Sequence, residues 1–288
     1  MAIIHLMNDQ LFLLKNGKPH VSYSEVSTWK SCSWKHKLQY IDLIPQDGKS
    51  PHLKYGSIVH DAVESFLNGN PKQFDEVEKS IRDTWAEMGF DSEEFISSQT
   101  LRAKAQGWNY AHDSVDAWIT SAKTCLEALP EFLNTEFPGW KSVAAEHALY
   151  EKIPDLEEGM FKGFIDSVIE LPNGKHVILD WKTAGPRGWS QDKKRDFLVH
   201  AQLILYKHYW MNHTGKKSKD VKTAFVLLKR NSKHKYAISM VEVGSGPQSV
   251  ENANKLVKSM VTTMQRGIAV KNRYSCKFCD FFETKYCS

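Results

Sequence analysis

The period of the apolar positions changes near residue 142 and divides the chain into a helical part and a sheet part. Upstream, helical spacing predicts helices over residues 22–41 and 56–69 and continues over 71–133. Downstream, shorter apolar runs predict strands at 142–153, 160–171, 175–181, 222–230 and 235–243, with helices at 196–212 and 247–266. A sheet with helices packed against it predicts an α/β or α+β domain.

The bulk composition is that of a folded globular protein. The chain has 288 residues, of which 41% are hydrophobic and 25% charged, so it can bury a full core. No apolar run reaches the length of a membrane span. The start, MAIIHLMNDQLFLL, has no basic leader and is interrupted by polar residues, so it is not a convincing signal peptide. We therefore expect a cytoplasmic protein with no membrane association.

The net charge of +4 hides an asymmetry between the two halves. Residues 1–144 hold 14 Lys and Arg against 19 Asp and Glu, a net charge of −5, whereas residues 145–288 hold 24 against 15, a net charge of +9. Basic clusters suit a polyanion such as nucleic acid, because phosphate contacts release counterions. A solvated, lysine-rich surface explains the same charges equally well.

The stretch VILDWKTAG, residues 177–185, places charge at the end of an apolar strand. Side chains alternate along a strand, so Asp180 and Lys182 share one face. A salt bridge at the strand end is the simplest explanation of an isolated D-x-K pattern.

A second acid, Asp166, lies on the preceding predicted strand, and the connecting loop decides whether it meets Asp180. A two-residue turn at Asn173-Gly174 would place the two acids on opposite faces, whereas a three-residue loop, 172–174, would pair them directly. Paired side chains have Cβ atoms about 5 Å apart. Two carboxylates at that distance repel unless a cation lies between them, so the three-residue loop predicts a divalent metal site.

These residues resemble the core of the PD-(D/E)XK nuclease superfamily, specifically its RecB-like branch. GFID at 163–166 and DWKT at 180–183 resemble the two active-site strands. GSIVH at 56–60 resembles an upstream G-x-x-x-H helix, and QLILY at 202–206 a downstream Q-x-x-x-Y helix. The resemblance implies a restriction-endonuclease-like α/β core, a mixed central sheet flanked by helices, within one domain spanning 1–288. The helical stretch at 71–133 would then be an insertion.

The resemblance also implies roles for the acids. His60, Asp166 and Asp180 would hold one or two Mg²⁺ or Mn²⁺ ions, with the backbone carbonyl of Trp181 as a further ligand. Lys182 would position the attacking water and stabilise the transition state, beside the catalytic Asp166 and Asp180. Glu146 would support the metal site from the preceding strand. His60 as a surface histidine and Glu146 as a salt-bridge partner are the alternatives.

Other residues are expected to contact DNA. Gln202 and Tyr206 are four residues apart and share a helix face, which touches DNA in the family. Ordinary helix packing is the alternative for this pair. The basic residues that flank the same region could hold the phosphate backbone: Arg187, Lys193, Lys194 and Arg195.

The chain has five cysteines, and a cytoplasmic protein is not expected to use them as disulfides. The tail CKFCDFFETKYC has three soft ligands and no nearby fourth. Some RecB-like nucleases, among them AddB-type and CRISPR-associated enzymes, bind a [4Fe-4S] cluster through one upstream cysteine and three in the tail. The resemblance therefore implies a cluster on four of the five cysteines, Cys125 being left over: Cys32, Cys276, Cys279 and Cys287.

Together these features predict a metal-dependent DNA exonuclease that acts on ends or single strands, in recombination, repair, phage DNA metabolism or CRISPR-type processing. The chain has no Walker A motif, so any helicase or recombination motor would be a partner. Two alternatives stay open: a structure-specific or nicking endonuclease on the same fold, and a non-catalytic iron–sulfur module that binds DNA ends.

Overall fold

The computed structural model describes residues 20–46, 50–154, 156, 159–230 and 233–288. The described strands are β1 His20–Ser22, β2 Lys141–Lys152, β3 Met160–Glu170, β4 His176–Ala184, β5 Val221–Lys229 and β6 Ile238–Glu242. The described α-helices are α1 Tyr23–Ser31, α2 Ser33–His36, α3 Pro51–Leu67, α4 Phe74–Met88, α5 Glu93–Ala105, α6 Val115–Glu136, α7 Gln191–Arg195, α8 Phe197–Thr214, α9 His234–Ala237 and α10 Pro247–Gln265.

The six described strands form one mixed sheet, in which the hydrogen-bonded neighbours follow the order β1-β3-β4-β5-β6. Strand β2 also pairs with β3, along one whole edge of that strand. Strand β3 runs antiparallel to β2 and β4 but parallel to β1, and β4 runs parallel to β5. Strands β1 and β4 share one edge of β3, with β1 at residues 160–162 and β4 at residues 167–170. Residues 163–166 of β3 therefore lie between these two pairings, where the sheet divides.

Helices cover both faces of the sheet, as the strongly apolar strands require. On one face, α1, α8 and α10 pack around a core that includes Phe161, Ile178 and Phe225. On the other face, α3, α4 and α6 pack around a core that includes Leu179 and Trp181. This architecture confirms the predicted mixed α/β fold. The segment predicted to be a helical insertion contains α4, α5 and most of α6.

The structure differs from the sequence predictions at four places. The helix expected over 22–41 is interrupted at Cys32, whose backbone is extended, and ends in a π-helical turn over Lys37–Ile41. Helix α3 begins at Pro51, five residues before Gly56, because Ser50 caps it and proline is favoured in the first turn. Residues 234–237 form a helical turn before β6, although a strand was predicted from residue 235. Strand β1 was not predicted, since three residues carry too little periodicity.

In the described part of the chain, no helix combines the length and the apolar character needed to cross a bilayer.

Candidate active site

The register of the β3–β4 hairpin is that of the three-residue loop. Ser167 pairs with Leu179 and Glu170 with His176, and Gly174 adopts a left-handed φ of 75°. Continued by one residue, this register brings Asp166 opposite Asp180, as the three-residue alternative predicts. The two acids thus share one end of the hairpin.

The backbone pairing between β3 and β4 ends at Ser167. Beyond it, the side chain of Asp166, instead of the β3 backbone, accepts a hydrogen bond from β4. The Trp181 backbone N–H donates to Asp166 Oδ2 at 2.9 Å. The Trp181 indole N–H is anchored on the other face of the sheet, where it donates to Ser167 Oγ at 3.0 Å. Asp166 is therefore held at the point where the two strands separate.

Asp180 is a buried carboxylate with an exposed fraction of 0%. Its Oδ2 forms an ion pair with Lys182 Nζ at 2.5 Å, and within the described residues no other donor reaches either oxygen. Burial raises the pKa of Asp180 to about 6, and nearby Asp166 adds to the rise, although Lys182 opposes it. Burial lowers the pKa of Lys182, but Asp180 and Asp166 outweigh burial and the net pKa is raised. The acid is thus under-satisfied while the lysine stays charged.

His60 approaches the two acids from α3, on the opposite side of the sheet from α8. Its Nδ1 lies 3.7 Å from Asp166 Oδ2. Burial, followed by the Lys182 charge, lowers the pKa of His60, so the imidazole is neutral and able to donate a lone pair. Gly56, one turn earlier, lies against Thr183 of β4, and a Cβ there would be 3.4 Å from Thr183 Oγ1. The G-x-x-x-H glycine thus lets the helix approach the strand.

Glu146 lies opposite Asp166 in the β2–β3 register, where the pairing is interrupted between Ala145 and His147. Its φ is 50°, in the left-handed region that non-glycine residues rarely adopt. Strained backbone of this kind clusters at functional sites. The negative charge of Glu146 contributes to raising the pKa of Asp166, behind the larger effect of burial, so the two acids are close.

Two further residues at the site were not anticipated from the sequence. Glu64 lies four residues after His60 on α3, and burial and Glu146 raise its pKa. The spacing of four could have identified it, because such residues share a helix face. Tyr23 of α1 donates its O–H to the Leu198 carbonyl, and Asp180 contributes to its raised pKa after burial and Asp196. No sequence motif marked this contact.

Gln202 and Tyr206 lie on α8, facing the sheet from the other side. The Gln202 side-chain amide donates to the Tyr206 hydroxyl at 3.3 Å. Tyr206 is only 5% exposed, and burial, followed by the nearby Asp180, raises its pKa. Gln202 is half-buried and closer to solvent. Of this pair, therefore, Gln202 is better placed to reach a substrate, while Tyr206 packs beneath it.

The predicted phosphate-binding residues follow β4 in the loop and in α7. Arg187, Lys193 and Arg195 are exposed and Lys194 is half-buried. Lys193 Nζ lies 4.5 Å from the centre of the Trp189 ring, and its pKa is lowered by burial and by the Lys182 charge. Positive charge thus extends from Lys182 to the protein surface along this side of the site.

The donor set fits a divalent cation, although the side chains are not arranged around one. Two carboxylates and a neutral imidazole are ligands for Mg²⁺ or Mn²⁺, and among the described residues the buried Asp180 carboxylate has Lys182 as its one donor. Throughout the described ranges, however, no three His, Cys, Asp or Glu side chains are placed to hold a single ion. Lys182 lies where a cation beside Asp180 would bind, so binding requires the ammonium to move aside.

The four cysteines named in the sequence pattern come together around one small cavity, and Cys125 lies elsewhere. Cys32, Cys276, Cys279 and Cys287 all line this cavity, together with Leu38 and Phe281. Cys32 Sγ accepts hydrogen bonds from the Lys35 and Asn272 backbone N–H groups, each at 3.4 Å. Cys125 is buried, and its thiol donates to the Lys229 carbonyl.

Comparison with known proteins agrees with this fold. The family model of the PD-(D/E)XK nuclease superfamily matches residues 20–284. The crystal structure of a protein described as a "putative exonuclease" from Eubacterium rectale is 15% identical, with a TM-score of 0.52, and the match covers 91% of this chain and 86% of that one. The structure of SSO0001 is also 15% identical, with a TM-score of 0.35 and coverage of 64% and 78%. No curated protein matches the chain significantly in sequence.

The chain belongs to the PD-(D/E)XK nuclease superfamily, since the family model spans nearly all of it. The matched superfamily is one of nucleases.

Proposed function

We propose that this protein is a metal-dependent DNA exonuclease of the RecB-like branch. The observation that carries the proposal is the joint position of Asp166, Asp180 and Lys182 where β3 and β4 separate, with His60 facing them from α3. A buried, under-satisfied acid beside a charged lysine is costly for stability, and functional sites are where such costs are retained. The "putative exonuclease" description of the E. rectale protein supports action from DNA ends.

The proposed roles follow from the position of each side chain. Asp166, Asp180 and His60 would hold Mg²⁺ or Mn²⁺, with the Trp181 carbonyl and Glu146 as further ligands. The cation, when bound, supplies positive charge to the phosphodiester and lowers the pKa of water. The ammonium of Lys182 would orient the attacking water and stabilise charge on the phosphoryl oxygens.

The surroundings of the site suit a nucleic-acid strand. Lys193, Lys194, Arg187 and Arg195 provide cations for phosphates that flank the scissile one. Gln202 is placed to contact the strand from α8, and Tyr206 holds the Gln202 amide. DNA, as ends or single strands, is therefore the proposed substrate, and a helicase or recombination subunit a suitable partner to deliver it.

We further propose that the cysteine cavity binds a [4Fe-4S] cluster. The four cysteines that line the cavity are the number of thiolates that hold a cubane, one on each iron. The two N–H donors on Cys32 Sγ would stabilise a thiolate, as hydrogen bonds to cluster sulfurs do.

One digestion experiment tests the exonuclease proposal against its alternatives. The purified chain is incubated with Mg²⁺ or Mn²⁺ and with end-labelled linear DNA or covalently closed circular DNA, both single- and double-stranded. An exonuclease releases labelled nucleotides or short fragments from linear DNA and leaves closed circles intact. Nicking or linearisation of the circles identifies an endonuclease, and binding without any cleavage identifies a DNA-end-binding module.

A further inference from the structure

A second cavity, of about 470 Å³, lies between the first turn of α3, the helical insertion and the cysteine tail. It is separate from the site at the β3–β4 hairpin, and the proposed function assigns it no role. Cavities of this size hold small organic ligands or parts of larger ones. What it binds can be read from its lining and its position.

The lining is unusually aromatic. Trp85, Phe90 and Trp118 are buried and form its base. Trp108 and Phe278 stand at its wall with ring centres 4.8 Å apart, and Phe278 remains 59% exposed. Tyr110 continues this wall, with its ring centre 6.4 Å from that of Trp108. Aromatic rings that line a cavity in this number offer edges and faces for contact with a planar ligand.

The polar groups around the cavity suit an uncharged planar ligand better than a phosphate. Two arginines are already paired with acids: Arg102 with Asp280 at 2.6 Å, and Arg230 with Asp113. Arg230 also lies 4.1 Å from the centre of the Trp118 ring. These acids would repel a phosphate. His52 contacts the Trp118 ring, and burial and the nearby Arg230 lower its pKa, so its imidazole is neutral and can hydrogen-bond to an uncharged edge.

The cavity lies close to the hairpin site along two elements. His52 precedes His60 by eight residues on α3, which corresponds to about 12 Å along a helix. Arg230 follows Leu227, the partner of Lys182 in the β4–β5 pairing, by three residues, or about 10 Å along a strand. At about 3.4 Å per stacked nucleotide, these distances correspond to about three nucleotides.

We infer that this cavity binds a base of single-stranded DNA about three nucleotides from the scissile phosphate. The inference rests on the proposed function and deepens it, since a captured base would fix where the strand is cut. The base would stack on Trp108 and Phe278, with its polar edge towards His52, while its phosphates stay outside with the basic residues near α7. Aromatic stacking of this kind tolerates every base and therefore implies no sequence preference.

The test is a scan with single-stranded oligonucleotides that each lack one base at a different distance from the end. Binding is measured by fluorescence anisotropy in EDTA, using the full chain carrying Asp180→Asn so that the oligonucleotides stay intact. We expect one position, or two adjacent ones, at which loss of the base weakens binding by about tenfold, the size of a stacking contribution. Adding Trp108→Ala should remove this position dependence, and Trp108→Phe should retain most of it.

Tyr150→Ala is the matched control, because Tyr150 is half-exposed on β2 and does not line the cavity. It should leave the scan unchanged. If Trp108→Ala does not fold, Tyr110→Ala serves as the second wall variant and should also remove the dependence of binding on the position of the missing base. A scan without position dependence, or one that Trp108→Ala and Tyr110→Ala leave intact, overturns the inference. Cleavage of the base-containing oligonucleotide by the unmodified chain tests the proposed function independently.

Discussion

The Tyr206 ring lies so close to Gly163 that there is no room for a side chain at position 163. A Cβ added to Gly163 would lie 2.8 Å from Tyr206 Cε1, well inside van der Waals contact. The size of the residue at position 163, in the GFID strand, is therefore limited by the tyrosine of the QLILY helix, 43 residues later in the sequence. Through this contact, α8 sets the position of β3 three residues before Asp166.

Gly163→Ala should consequently destabilise the protein by about 1–3 kcal/mol, the usual cost of overpacking a core, and lower its nuclease activity. The measurement is chemical denaturation of the single variants and of the Gly163→Ala/Tyr206→Ala double variant. Removing the ring should abolish most of the cost of the added methyl group, which appears as a coupling energy in the double-mutant cycle. Strictly additive effects would show that the two residues do not act together.

Asp180 should make the stability of the metal-free protein depend on pH. Its pKa is raised from about 3.9 in an unfolded chain to about 6 in the folded one. Folding therefore takes up a proton between these values, and stability contributed by this group is lost as pH rises from about 4 to about 6. Asp180→Asn lacks this titration, so the difference in free energy of unfolding between it and the unmodified protein should shift in favour of Asp180→Asn from about pH 4 to about pH 6 and then stay constant to pH 7. Urea unfolding in EDTA at several pH values measures the difference, and a difference independent of pH would contradict the assignment.

A divalent cation should offset the cost of burying the Asp180 carboxylate and raise the melting temperature. Mn²⁺ or Mg²⁺ binds the folded site in preference to the unfolded chain, so the midpoint should increase with cation concentration. Asp180→Asn should lose this shift, whereas Lys182→Met should keep it, because the lysine competes with the cation and is not a ligand. Thermal melts with Ca²⁺-free buffers and EDTA controls provide the readout. An equal shift in Asp180→Asn would place the cation elsewhere.

The cysteine cavity predicts a coloured protein when it is purified without oxygen. Visible absorbance and about four irons per chain are expected for a Cys₄ cubane. Replacing any of the four cavity cysteines with serine should bleach the colour and lower thermal stability, because the proposed cluster would join Cys32 to the tail. Cys125→Ser is the control and should stay coloured, since its thiol contacts the Lys229 carbonyl instead. Colourless protein with one zinc per chain would exclude the cluster and leave the nuclease assignment intact.

Much of the site could be predicted from sequence because its parts are local. The turn residues at 172–174 predicted a hairpin with a two-residue or a three-residue loop, and the structure has the three-residue loop, which aligns Asp166 with Asp180. Likewise, the helical spacing at 56–69 placed His60 on a helix. Local patterns of this kind depend on a few neighbouring residues, which a single sequence contains.

The rest depends on contacts between distant segments. The clash that forbids a side chain at Gly163 comes from Tyr206 on another element, and the Trp181 N–H bond to Asp166 arises because the pairing of β3 with β4 ends at Ser167. The left-handed φ of Glu146 depends on an interrupted pairing with β3. No periodicity in the chain indicates these features. The break at Cys32 likewise follows from its place beside residues 270–272 of the tail.

The most direct measurement of the central claim is the cleavage rate of end-labelled linear DNA by the unmodified chain, Asp180→Asn and Lys182→Ala, with Mg²⁺ or Mn²⁺. The unmodified chain should cleave. Both variants should fold and bind DNA, and both should lose at least about 100-fold in rate, because one removes a cation ligand and the other a charge that stabilises the transition state. Cleavage by either variant at the unmodified rate would contradict the assignment of the active site to the β3–β4 hairpin.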